Sequence, residues 1–254
     1  PDFYTGALTT MYRMFYGADR FDNSDISGWD TRNVTNMSEF AASNRLFNTP
    51  IGTWDTSNVT NMSSAFFGSF RFNQDINSWN TSSVTDVGRM FSNALDINQV
   101  FNNWDVSRVT NMDTMFYRTL SQTQDPQISN WDTSNVTDMS SMFGLTVLNA
   151  DLGSWDTSNV GRLGFNGMFR EASAFNGDVS NFTFNYPDTG FFGMFDRAYS
   201  FNQDISMWNV ENVTFTSDMF QEARAFNQDI SGWDFGPLWD TAGEMFANAI
   251  AFNQ

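Results

Sequence analysis

One motif recurs about nine times down this chain, and that recurrence constrains the fold more than any other feature. It is clearest as Phe72-Asn73-Gln74-Asp75-Ile76, Ser78-Trp79, Val84-Thr85, Met90-Phe91 and Ala94, and it returns as Phe201-Asn202-Gln203-Asp204-Ile205, Trp208, Val213-Thr214, Met219-Phe220 and Ala223. The indole positions set the period. Trp29, Trp54, Trp79, Trp104, Trp131, Trp155, Phe182 in the same slot, Trp208 and Trp233 are separated by steps of 24 to 27 residues. A fixed period of this size marks a repeat array, because one such unit cannot bury its own apolar face and must lie on copies of itself. Residues 1–254 therefore read as a single continuous solenoid of about ten units, with no linker. The chain enters and leaves partway through a unit, as a fragment of a longer array would.

The spacing within a unit predicts its local structure. Val109, Met112, Met115 and Phe116, like Val136, Met139, Met142 and Phe143, lie at offsets that share one face of a short helix. The half that contains Asn73 to Trp79 predicts a short extended segment with a bend between Ile76 and Trp79. Together they predict an α/β repeat with one short parallel strand and one short helix per unit, stacked as a curved ladder. The Asn after the leading Phe (Asn48, Asn73, Asn98, Asn149, Asn176, Asn202, Asn227, Asn253) predicts an amide ladder along the stack.

Composition narrows the chemistry. The chain has no Cys, His or Lys, so all 12 cationic side chains are Arg, and the usual general base, thiolate nucleophile and Schiff-base residue are missing. The reading is of a protein that is not an enzyme. A net charge of -17 argues against nucleic acid as a partner. No apolar run is long enough to span a membrane.

The string Trp54-Asp55-Thr56-Ser57-Asn58-Val59-Thr60-Asn61-Met62-Ser63-Ser64, followed by Phe66 and Phe72-Asn73-Gln74-Asp75-Ile76, resembles the BspA-like repeat of bacterial and protist surface proteins, a relative of leucine-rich repeats. The resemblance implies a leucine-rich-repeat-like right-handed solenoid in a secreted or cell-surface protein, used for adhesion, protein contact or structural assembly, and brings no catalytic residues. Partners on this reading are a protein or glycan, or further copies joined end to end.

Two constellations are candidate sites. The first is the acidic column after Trp: Asp30, Asp55, Asp105, Asp132 and Asp156, extended by Asp234, with Asn80 and Asn209 in two slots. Stacked carboxylates must be solvated, bonded to backbone amides or bridged by cations. The column therefore reads either as a set of Asx turns or as calcium ligands, and a calcium-dependent or glycan-binding module is the alternative function. The second is the aromatic pair Tyr186 and Trp239, which lies in segments that break the repeat and is expected to contact a partner. Ser121 to Gln127 and Gly161 to Gly167 also break it. The Thr columns, such as Thr31, Thr56, Thr81 and Thr35, Thr60, Thr85, resemble ordered-water-binding hydroxyl arrays. The eight N-x-S/T sequons, at Asn33, Asn36, Asn58, Asn61, Asn80, Asn135, Asn181 and Asn212, follow from the repeat itself.

Overall fold

The computed structural model describes residues 5–21, 24–123, 125–235 and 242–254. Its repeating element is a ribbon of successive β-turns. In the first unit the N–H groups of Met14, Tyr16 and Ala18 donate back three residues to the carbonyls of Met11, Arg13 and Phe15, at 3.1 to 3.2 Å. The alternate groups, Met11, Arg13, Phe15 and Gly17, donate to Asn36, Ser38, Phe40 and Ala42 of the following unit, at 2.8 to 3.3 Å. The same alternation holds around Met112, where Met115, Tyr117 and Thr119 close turns and Thr114, Phe116 and Arg118 bond to Ser140, Met142 and Gly144.

This overturns the α/β repeat expected from the spacing and the leucine-rich-repeat-like right-handed solenoid implied by the resemblance. No helix occurs among the described residues, and their extended structure is confined to β1 (Thr189–Gly190) paired parallel with β2 (Val213–Phe215) and to isolated parallel bridges. Offsets of 0, 3, 6 and 7 share a face in consecutive turns as well as in a helix, so the apolar pattern alone did not separate them. The backbone does. Each unit carries two residues four apart with positive φ: Arg13 and Gly17, Glu39 and Ser43, Ser64 and Gly68, and so on to Glu244 and Asn248. Positive φ at the third position of a turn closed by an i+3 to i bond is the type II signature, and a helix has no place for it. The expected strand is also a turn: Trp79 N–H bonds to the Ile76 carbonyl at 3.1 Å, and Asn77 N–H bonds to Asp75 Oδ1 at 3.0 Å. The parallel bridges lie elsewhere, in the series Thr10, Asn36, Asn61, Asp86, Asn111, Asp138.

The interior follows from this frame. Trp54, Trp79, Trp104, Trp131, Trp155 and Trp208 are buried, as are Met90, Phe91, Met115, Phe116, Met219 and Phe220. Rings in one column lie nearly parallel, for example Trp131 and Trp155 at 6.2 Å and 11°, and Phe116 and Phe143 at 6.0 Å and 5°. Each buried indole also has a polar duty. Trp54, Trp79 and Trp104 donate Nε1–H to the carbonyls of Ile26, Ile51 and Ile76 in the preceding unit, at 3.0 to 3.1 Å. A buried aromatic tolerates its N–H only when that group has a partner, so the indole column sets register as well as volume.

The amide ladder forms as expected. Asn48, Asn73, Asn176, Asn202 and Asn227 each offer Oδ1 to the backbone N–H of the next Asn in the column, at 2.8 to 3.1 Å. The neighbouring Gln74, Gln99, Gln203 and Gln228 reach back with Nε2 to the previous unit's Asn carbonyl, at 2.8 to 2.9 Å.

Candidate functional site

The acidic column is built as a series of Asx turns. Oδ1 of Asp55, Asp105, Asp132 and Asp156 accepts from the backbone N–H two residues ahead, at 2.9 to 3.1 Å, and a Ser hydroxyl joins it at the first three. Asp30 instead accepts from Arg32 through both its backbone N–H and its Nε. The Ser57 hydroxyl and N–H hold the Asp55 carboxyl below its ordinary range, and Ser107 does the same for Asp105. The Arg32 guanidinium lowers Asp30. Two further Asx columns repeat the device, one at Asp25, Asp75, Asp151, Asp178, Asp204 and Asp229, the other at Asn36, Asn61, Asp86 and Asp138. Among the described residues no three acidic side chains converge on one point. The five candidate Asp side chains are thus brought into one column, not into a cluster.

The Thr columns are also taken up by the scaffold. Thr31, Thr56, Thr81 and Thr133 are buried and donate to the carbonyls of Asp55, Asn80, Asp105 and Asp156 in the next unit. Thr60, Thr85 and Thr110 bond back to Thr35, Thr60 and Thr85. Sequon side chains do similar work, Asn58 Nδ2 reaching the Arg32 carbonyl and Asn135 Nδ2 that of Ser107.

Tyr186 is 51% exposed, beside β1, while Trp239 lies outside the described residues. The two are therefore not placed together. The segment around Tyr186 departs from the repeat inside as well as outside. Phe182 fills the Trp slot and stacks on Trp208 at 6.4 Å and 3°, and Phe184 turns into the core against Phe165, Phe191 and Trp208 at 4.6 to 5.0 Å. Phe182, Phe184, Asn185, Met207 and Asn209 line an open groove of about 390 Å³, with Met207 88% exposed. Of the other breaks, Ser121 to Gln127 buries Gln122, whose amide exchanges bonds with the Gln99 backbone, and Gly236 to Trp239 lies outside the described residues.

Sequence reasoning missed the outward face of the turn ribbon. Its clue was the recurrence of Gly17, Gly68, Gly167 and Gly193 at the positive-φ slots. Those slots hold side chains that pair between units: Arg13 with Glu39 at 2.7 Å, and Arg197 with both Glu171 and Glu222 at 3.4 Å. Beside the last group sits Asp196, completely buried, with Oδ2 at 3.0 Å from Arg170 Nε and 3.5 Å from Arg197 Nη1 but no aligned hydrogen bond on either oxygen. Burial pushes the Asp196 carboxyl up against the opposing pull of the two guanidinium groups. Towards the other end the ribbon bears two shallow hollows. Tyr16, Glu39, Ala42, Ser64, Phe67 and Arg89 line one of about 220 Å³, and Asp19, Ser43, Arg45, Phe67, Phe70 and Asn93 line one of about 340 Å³.

The family described as "Mycoplasma protein of unknown function, DUF285" matches residues 9–127, 98–188 and 188–254. The chain belongs to this family. No curated protein and no solved structure matches it. Two of the DUF285 matches meet at residue 188, immediately before β1 and inside the segment where Phe184 enters the core. The joint falls where Phe182 and Phe184 interrupt the Trp and Thr columns.

Proposed function

We propose that this DUF285 protein is a non-enzymatic repeat protein of the cell surface or extracellular space that acts in adhesion or protein contact. The observation that carries this reading is a division of labour between columns. The regular polar columns, Asp, Asn, Thr and Gln alike, are engaged in turns and in bonds between units, so they are scaffold. What varies from unit to unit is the outward ribbon face, where Tyr16, Phe67, Arg89 and Tyr117 occur in an array that otherwise repeats itself. A partner that distinguishes one place on a periodic body must read what is not repeated. The acidic charge and the resemblance to BspA-like surface repeats support the same reading.

Protease treatment of intact cells of the source organism, followed by mass spectrometry, tests the location. Release of peptides from this chain while a cytosolic marker stays intact is the expected result; retention of the chain until lysis would contradict it. The adhesive role is tested by adding the purified chain in excess, which should block attachment of those cells to their substratum.

A further inference from the structure

We infer that the ribbon face carries a linear binding track for a neutral, extended, β-linked glycan, with Tyr16, Phe67 and Tyr117 as its platforms. The inference deepens the surface-contact reading and rests on it for its biological setting, but not for its chemistry. The residue that follows the core Phe slot in successive units is Tyr16, Ala42, Phe67, Ser92, Tyr117 and Gly144. Large aromatic and small residues alternate through these six units, and Arg170, Asp196 and Gln221 end the alternation in the units that follow. The small members make room: a Cβ at Gly144 would stand 2.8 Å from Cδ2 of Tyr117, so that half-buried ring lies over the next unit's backbone. Ala42 lies in the hollow walled by Tyr16 and Phe67, and Glu39, Ser64 and Arg89 supply its polar rim.

The spacing selects the ligand class. Units bonded backbone to backbone lie about 4.8 Å apart, so the platforms recur at about 10 Å. An extended β-linked pyranose chain advances by about one such step per sugar and turns each ring over relative to the last, so that like faces return at every second sugar. That is the period of the platforms. An extended peptide along the same line would repeat its side chains at about 7 Å and fall out of step after one platform. Aromatic faces with a few hydrogen-bonding groups at the rim suit the apolar faces and hydroxyl edges of sugars. The net charge of -17 disfavours a polyanionic one.

The test is isothermal titration of the whole chain with chitohexaose and cellohexaose, and with maltohexaose and heparin for comparison. Binding of at least one β-linked hexamer, with neither comparison ligand bound as well, is expected. The double substitution Phe67→Ser and Tyr117→Ser should weaken it at least tenfold. Ser92→Tyr, which fills the gap in the alternation without removing a platform, should also weaken it while the circular dichroism spectrum and melting temperature stay near those of the parent. No binding of either β-linked hexamer, equal binding of heparin, or unchanged affinity in folded variants would overturn the proposal. Cell-surface location is read separately by protease treatment of intact cells, so a chain found inside cells that still binds the hexamers would sink the proposed function and leave this site standing.

Discussion

The units between Thr35 and Asn111 and those between Gly161 and Glu222 run the same backbone scheme with different side chains. In the first region the Trp, Thr and Asx columns run almost unbroken, and the ribbon face is aromatic and small by turns. In the second, Phe182 and Phe184 replace a Trp and a Thr, and the ribbon face becomes an ion-pair network of Arg170, Glu171, Asp196, Arg197 and Glu222. The lesson is that a slice of core must be filled but need not be filled by the same residues. The first region shows the same tolerance at Phe40 and Ala41, where Phe takes the Met slot and Ala the Phe slot. Phe40 then meets Phe66 and Trp54 edge-on, at 83° and 77°, where the usual ring column is stacked.

The largest expected effects come from breaking the core in each region. Trp104→Ala should cost about 3 to 5 kcal/mol, read by denaturant unfolding, because it removes a buried ring and leaves the Ile76 carbonyl without its indole donor. In the second region Phe184→Thr restores the regular residue and should cost about 2 to 5 kcal/mol through the cavity it opens, while Phe182→Trp should cost about 1 to 3 kcal/mol by overpacking. The double variant should recover part of the loss. Simple additivity of the two would show that Phe182 and Phe184 are not a compensating pair.

The ladders are the next level. Asn73→Ala removes the acceptor for Asn98 N–H and for Gln99 Nε2, and should cost roughly 1 to 3 kcal/mol. Asn202→Ala should cost about the same, since Asn227 and Gln228 depend on it alike. Unequal losses would mean that the ladder differs between the regions as the face does.

Individual acidic groups respond to pH with opposite signs according to whether they sit in an Asx turn near the surface or are buried. Asp55 and Asp105 are held low by Ser57 and Ser107, so the stability they contribute is present above the ordinary carboxylate pKa and is lost as pH falls through their lower folded values. Asp196 is raised by burial, so its contribution is present at low pH and is lost as pH rises from the ordinary carboxylate value through the folded one. Melting temperatures of the parent and Asp196→Asn, compared from about pH 3 to pH 7, should therefore move apart in favour of the variant as pH rises. A parallel pair of curves would contradict a raised Asp196.

Much of the molecule was legible from the chain alone. The period, the buried indole and phenyl columns, the Asn ladder and the placement of Asp55, Asp105 and Asp132 in Asx turns all follow from residues that recur in register. The turn ribbon was not legible, because Arg13, Glu39, Arg89 and Thr114 are poor markers of positive φ and only Gly17, Gly68, Gly167 and Gly193 hint at it. Nor was the outward face, where large aromatic residues recur only at every second unit and give way to Arg170 and Asp196. The smallest expected effect probes this point: Thr114→Gly relieves a β-branched residue at φ 48° and should stabilise the fold by about 1 kcal/mol.

The central claim is that alternate backbone N–H groups of the ribbon bond between units and the rest close turns. Scalar couplings across hydrogen bonds, measured by NMR on deuterated, uniformly labelled protein, read this directly. Phe91 N should couple to the Met115 carbonyl carbon and Met90 N to that of Val87. Coupling of Phe91 N to Val87 and of Met90 N to Asp86, the i−4 pattern of a helix, would contradict the account.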